Sequence, residues 1–524
     1  MITKIFYGVP FYTMDADRGM QEAVVVVNGK FEYITSNPNE AHNLYPDAEL
    51  VELTGGCVIP GFVDAHLHLK EYAVLFKDLD FSRAADKNDV LRGVESALSE
   101  KKDGQWVQAA GLEKANLFAI SKDELDSFSP NNPLLLFSND MRVVLANSKA
   151  LEHAGIDESR SDPLGGKIGR DANGQPNGLL YDRGIDILWR IIPEDKARVV
   201  ESSIEKGLHK ILSYGITTIC DCSIKPGSDS IRSIMRLLCR DKLKVRVVVM
   251  FGEQDALRLG EMGFASQFGN DYFRMGGFSI VVDGALSSLT GYMTKPYRGG
   301  SSSGMLLMDE EELHAILKSH YSNYFWAGVQ CAGDRANEIA LRVFRKMGSE
   351  VGIPRLLKRI DMAMALKDED IDEFAKNSII PVMMPCEILS NREDAIRYLG
   401  TEAKLLYRFK SLIDSGAALA FASDAPRAPL NPLYGIYVAI ERKGFTDGPE
   451  LRFYPKESIS LHDALYAYTK GSATACGMEK EVGSIEVGKY ADFVHLSGDI
   501  YAENTENLKN ISVLDVFVGG NSVI

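Results

Sequence analysis

The 524-residue chain is 45% hydrophobic and 25% charged, ordinary usage for a globular protein with a large core. Its formal net charge of −15, without a basic stripe, argues against nucleic acid as a partner, because phosphate binding needs clustered Lys and Arg. No apolar run reaches the ~18 residues of a membrane span, the start Met1-Ile-Thr-Lys-Ile-Phe-Tyr-Gly turns polar too soon for a secretory leader, and seven cysteines without framework spacing suit a reducing cytoplasm.

The N-terminal stretch reads as short strands. Ala23-Val-Val-Val-Val-Asn-Gly-Lys-Phe-Glu-Tyr-Ile is an apolar run, an Asn-Gly turn and a second strand, the signal of a hairpin. The C-terminal stretch has the same character, in Gly483-Ser-Ile-Glu-Val-Gly-Lys-Tyr-Ala-Asp-Phe-Val-His-Leu and Val513-Leu-Asp-Val-Phe-Val-Gly-Gly-Asn-Ser-Val-Ile. Strands at both ends can share one sheet, since chain termini often lie close together. Between them, apolar runs alternate with helical stretches such as 231–239 and 310–321. The candidate strands are Val58-Ile-Pro-Gly-Phe-Val-Asp, Trp106-Val-Gln-Ala-Ala-Gly, Leu134-Leu-Leu-Phe, Ile216-Thr-Thr-Ile-Cys, Val245-Arg-Val-Val-Val-Met, Ser279-Ile-Val-Val-Asp, Gly328-Val-Gln and Ala418-Leu-Ala-Phe-Ala. Such alternation predicts parallel β-structure and an α/β fold. The division expected is a β-region over 1–57, a barrel over 58–477 carrying an insertion at about 82–190 above its mouth, and a second β-region over 478–524.

The sharpest local signal is Pro60-Gly-Phe-Val-Asp-Ala-His-Leu-His-Leu. Side chains at i and i+2 of a strand share a face, so His66 and His68 point the same way. Two imidazoles spaced along a strand can reach one divalent ion. Asp424 follows the strand-like 418–422; by itself it reads equally as a helix cap ahead of Pro426.

Gly55-Gly-Cys-Val-Ile-Pro-Gly-Phe-Val-Asp-Ala-His-Leu-His resembles the first barrel strand of the amidohydrolase superfamily, and Gly483-Ser-Ile-Glu-Val-Gly-Lys-Tyr-Ala-Asp-Phe-Val resembles that superfamily's return to its β-sandwich. Asp283-Gly-Ala-Leu-Ser-Ser, Gly333-Asp-Arg-Ala and Ala422-Ser-Asp-Ala-Pro look like the YtcJ-type branch, which includes formamide deformylase-like enzymes. The resemblance implies a (β/α)₈ TIM-type barrel with a small β-sandwich built from both termini. It also implies that Asp424 binds a metal and shuttles the proton of its water.

The chain departs from this branch at several points. The position of the metal-bridging Lys holds Ser279, which cannot carry a carbamate; Gln330 and Met362 stand where the branch has histidines; and Arg142 stands where a histidine commonly lines the substrate pocket. None of the other histidines (His42 in the N-terminal β-region, His153, His209, His314, His320 and His462 in helical patterns, His495 in a terminal strand) ends a barrel strand. Cys331 and the pair Cys220 and Cys222 are candidate thiolate ligands, although alternation turns Cys331 away if Gln330 faces the pocket. Glu113, Asp140, Asp182, Arg183, Asp283 and Arg335 are further sources of pocket polarity, or alternatively caps and surface ion pairs.

The expectation is a hydrolase of a non-peptide C–N bond in a small molecule. It would use one divalent ion, zinc first, held by His66, His68 and Asp424, with Arg142, Ser279, Asp283, Gln330 and Met362 on the substrate side. A metal-free isomerase or lyase on the same fold, or a non-catalytic small-molecule binder, stays open, because one barrel hosts many chemistries. A homodimer is compatible with this reading, and neither nucleic acid nor membrane is an expected partner.

Overall fold

The computed structural model describes residues 2–75, 78–81, 84–138, 143–163, 166–182, 184–193, 197–223, 229–286, 289–350, 352 and 356–524. Its centre is a nearly closed barrel of eight parallel strands: β1 (Phe62–Leu67), β2 (Ile216–Asp221), β3 (Arg246–Gly252), β4 (Phe273–Val281), β5 (Ala327–Gln330), β6 (Lys358–Asp361), β7 (Ile379–Met383) and β8 (Ala420–Phe421). Each strand pairs in parallel with the next in sequence. Helices separate most of them, including Asp229–Cys239 and Glu310–Ser322 where the sequence predicts them. Closure between β8 and β1 falls to the residues just past the strand ends: the Asp424 amide donates to the His66 carbonyl at 2.9 Å and the His68 amide to the Ala425 carbonyl at 2.8 Å.

The sequence reading needs correction at several elements. The run 58–64 is two strands: Cys57–Pro60 pairs with Phe493–Leu496 in the terminal sheet, and β1 starts at Phe62. Gly61 makes the handover because a Cβ there would lie 2.2 Å from Thr217 Oγ1. The runs at 106–111 and 134–137, inside the stretch read as an insertion, belong to a six-stranded sheet that the chain builds between β1 and β2 from Leu79–Asp80, Val107–Leu112, Leu134–Ser138, Val143–Ala146, Gly166–Arg170 and Pro176–Asp182. This sheet has its own apolar core, with Val94, Leu112, Leu125 and Leu136 among its members. Two barrel strands, β6 and β7, are not among the candidate strands. Within the N-terminal β-region, His42 sits on a short helix, Pro38–Leu44.

Both termini contribute to one mixed sheet. Met20–Val27 and Lys30–Thr35 form the expected hairpin, and Asn28 and Gly29 take the positive φ values (49° and 84°) that a tight Asn-Gly turn requires. Phe6, Phe11, Phe31, Phe493 and Phe517 pack together in its core, Phe493 stacked on Phe517 with centroids 4.5 Å apart. One buried ion pair ties this sheet to the barrel. Arg246, at the start of β3, places Nε 2.6 Å and Nη2 2.9 Å from the two oxygens of Asp492, and its guanidinium lies over the Tyr490 ring at 3.9 Å.

Removing one member of such a pair strands the other charge in a low-dielectric interior. Asp492→Ala is therefore expected to lower unfolding free energy by about 3–5 kcal/mol. The double change Arg246→Met/Asp492→Leu should recover much of that loss. Denaturant titration of both variants checks this, and an Asp492→Ala midpoint equal to wild type contradicts it.

Candidate active site

The C-terminal ends of β1, β6 and β8 meet at one point. The backbone bonds past β8 set the geometry: because Asp424 donates its amide to His66 and the Ala425 carbonyl accepts from His68, the carboxylate is brought beside both imidazoles. Asp424 takes φ 56°, a left-handed conformation that short polar side chains tolerate better than branched ones. Its Oδ1 lies 3.1 Å from His68 Nε2 and 3.9 Å from His66 Nε2. His66 and Asp424 are almost wholly buried, and the His68 side chain is 15% exposed, so the site opens on the His68 side.

The charges around this point are arranged to keep its carboxylates ionised. Burial pushes the Asp424 carboxyl up, but the Arg427 guanidinium, 3.6 Å from Oδ2, and the bond to His68 outweigh it and hold the group well below the usual carboxylate range. Asp361 behaves alike. Burial raises it, yet Arg359 and His66 bring it down to about 2. Arg359 forks onto Asp361 with Nε at 2.6 Å from Oδ1 and Nη2 at 2.8 Å from Oδ2, and Asp361 Oδ2 lies 2.8 Å from His66 Nδ1. For His66 itself, burial lowers the pKa, and the Asp361 and Asp424 carboxylates more than restore it.

Two groups of metal-competent side chains are present among the described residues, each with ligand atoms within 4.8 Å of one another: His66, His68 and Asp424, and His66, Cys222 and Asp361. The first fits a divalent ion. Two donors bound at ~2.0–2.2 Å can stand at most about 4.4 Å apart, and the separations to Asp424 Oδ1 of 3.1 and 3.9 Å lie inside that limit. Three protein ligands leave the open position that catalytic sites keep.

The remaining expected residues fall in different places. Ser279 near the end of β4 and Gln330 at the end of β5 converge: Gln330 Nε2 donates to Ser279 Oγ at 2.7 Å. Met362, half-buried with φ 68°, directly follows β6. Asp283, expected on the substrate side, is 1% exposed and has both oxygens occupied, accepting the amides of Tyr292 (2.7 Å), Ala332 (2.9 Å) and Gly333 (2.8 Å). It ties the segments after β4 and β5 together and presents no free oxygen to a ligand. Arg142, Asp140 and Arg183 lie outside the described residues, and Asp182 ends the strand Pro176–Asp182. Arg335 pairs with Glu338 at 2.8 Å, while Glu113 precedes the short helix Lys114–Phe118. Cys331 is buried, and burial raises its thiol far above its usual range. Sequence reasoning missed Arg359, Asp361 and Arg427. Arg359-Ile-Asp361 did carry a signal, an i, i+2 charge pair that alternation places on one face of a strand.

Residues 49–524 match the amidohydrolase family, and the chain belongs to it. YtcJ of Bacillus subtilis (strain 168) is 28% identical over 530 residues, covering 99% of each chain. The N-substituted formamide deformylase of Arthrobacter pascens is 26% identical over 527 residues, 97% of this chain and 96% of its own. Among solved structures, an uncharacterized metal-dependent hydrolase from Pyrococcus horikoshii OT3 superposes with a TM-score of 0.71 at 23% identity, covering 96% of this chain and 99% of that one; at this identity the likeness concerns the fold.

The bond between Ser279 and Gln330 makes a gain-of-metal test direct. Ser279→Lys, Gln330→His and Met362→His in one chain should raise the divalent ion content above wild type by elemental analysis. Unchanged content would mean that these three positions do not face a common point.

Proposed function

We propose that the protein is a single-metal hydrolase acting on a non-peptide C–N bond of a small molecule. The observation that carries the reading is the approach of His66 Nε2, His68 Nε2 and Asp424 Oδ1 at the C-terminal end of the barrel, where barrel enzymes place their chemistry. Family membership supports hydrolysis, and the name of the Arthrobacter relative points to amide-type substrates. Zinc is the first candidate ion, given two imidazoles and one carboxylate. No helix among the described residues is long and apolar enough to cross a membrane.

Bound there, a divalent ion supplies Lewis acidity and makes water nucleophilic near neutral pH. The chain's own residues do the rest. His66 and His68 fix the ion from one strand. Asp424, ionised throughout the neutral range, accepts a proton at its carboxylate and passes it to the leaving nitrogen. Arg427 limits the basicity of that carboxylate, so the proton is held only briefly. On the substrate side Ser279 and Gln330 already satisfy each other, and Gln330 keeps its carbonyl oxygen to accept from a substrate N–H. Met362 adds an adaptable apolar wall. This pocket suits an uncharged or partly apolar amide better than a second cation.

Three tests bear on the reading. Elemental analysis of chelator-free protein should return one divalent ion per chain at most; two at full occupancy would contradict it. Asp424→Asn should lower kcat/KM by about 10²–10⁴ on N-substituted formamides or ureas, assayed by amine or ammonia release, with its fold intact. Turnover near wild type in a folded Asp424→Asn protein would make Asp424 structural. His66→Ala should abolish the metal-dependent reaction, and mere weakening would favour metal-free chemistry.

A further inference from the structure

We propose that Arg359 and Asp361 form a positioning pair that holds His66 as the Nδ1–H tautomer, with its Nε2 lone pair facing His68 and Asp424. The inference rests on the metal-site reading above and extends it to two residues that touch no ion.

The argument begins with what each atom can do. An ionised carboxylate only accepts hydrogen bonds. Asp361 Oδ2 lies 2.8 Å from His66 Nδ1, so the shared hydrogen sits on the imidazole. A neutral imidazole carries one proton, which leaves Nε2 as the free donor atom. The carboxylate cannot swing away, because Arg359 grips both of its oxygens. The arginine is itself pinned: Nη2 donates to the Ala65 carbonyl at 2.8 Å and Nη1 to the Ala475 carbonyl at 3.0 Å. Ala65 is the residue before His66. The pair is therefore registered against the backbone of the strand that carries the imidazole, and the ring plane inherits that register.

Energetics point the same way. Arg359 and Asp361 are fully buried, and a buried ion pair gains little net stability over apolar residues of similar volume. A position that keeps one beside an imidazole gains orientation from it. Carboxylates behind metal-binding histidines typically tune affinity by 10–100-fold.

The competing arrangement is a cation held by Asp361, Cys222 and His66 Nδ1. Cys222 is near, its amide bonded to the Leu67 carbonyl at 2.7 Å. Asp361 Oδ2, however, already accepts from both His66 Nδ1 and Arg359 Nη2. A cation there must displace the imidazole proton and sit against a guanidinium.

The test uses the full chain loaded with zinc or cobalt, and reads the metal dissociation constant by chelator competition. Asp361→Asn should raise that constant about 10–100-fold. The charge-neutral pair Arg359→Met/Asp361→Asn, which leaves no unpaired buried charge, should do the same while unfolding near the wild-type temperature without metal. Cys222→Ser should leave affinity unchanged, and the cobalt protein should lack a thiolate-to-metal charge-transfer band. A folded variant of either kind with wild-type affinity overturns the proposal, and so does a thiolate band that Cys222→Ser abolishes. Wild-type protein that binds no metal at all overturns the metal-site reading with it, which separates the two failures. A readout on unaltered protein stands beside the variants: with ¹⁵N-histidine label, at a pH where the His66 ring is neutral, its signal (assigned by loss in His66→Gln) should report Nδ1–H. The Nε2–H tautomer overturns the proposal.

Discussion

The hydrogen bonds that join the ends of β1 and β8 do two jobs with the same few atoms. They close the barrel where β8 itself contributes only Ala420–Phe421, and they set the distance between two imidazoles and a carboxylate. Asp64 reinforces the seam, because its Oδ1 accepts the amides of both His66 and Ser423 at 3.2 and 3.1 Å. The site is thus a by-product of closure. A strand slip of one residue at this seam would turn His66 and His68 out of the barrel and unmake the donor set.

Around that seam the molecule uses buried charge in two distinct ways. Arg246 and Asp492 join the terminal sheet to the barrel, far along the strands from the site, and their role is attachment. Arg359 and Asp361 stand buried directly behind His66, and the exposed Arg427 side chain stands in front of Asp424. Together they surround two imidazoles with carboxylates that are ionised at neutral pH, which is the state a cation requires of its ligands.

The fold class and the positions of His66, His68, Ser279, Gln330 and Asp424 were legible because strand alternation and motif order survive in sequence. Other elements were not. Ile379-Ile-Pro-Val-Met of β7 carries Pro381 inside a central barrel strand, where proline is uncommon because it removes a ladder donor. Lys358–Asp361 is short and charged, so it reads as surface until the fold buries Arg359. The runs at 106–111 and 134–137 were legible as strands within the insertion at about 82–190, but hydrophobicity says that a strand is buried and not how it pairs, so their six-stranded sheet was not. Asp283 looked available for a ligand because nothing in sequence reveals that three backbone amides will converge on it.

The most direct test of the account is a crystal of the zinc- or cobalt-loaded protein with anomalous data at the metal edge. The account predicts one anomalous peak per chain, in contact with His66 Nε2, His68 Nε2 and Asp424 Oδ1. A peak bonded to Cys222 and Asp361, or a second peak between Ser279 and Gln330, would contradict it.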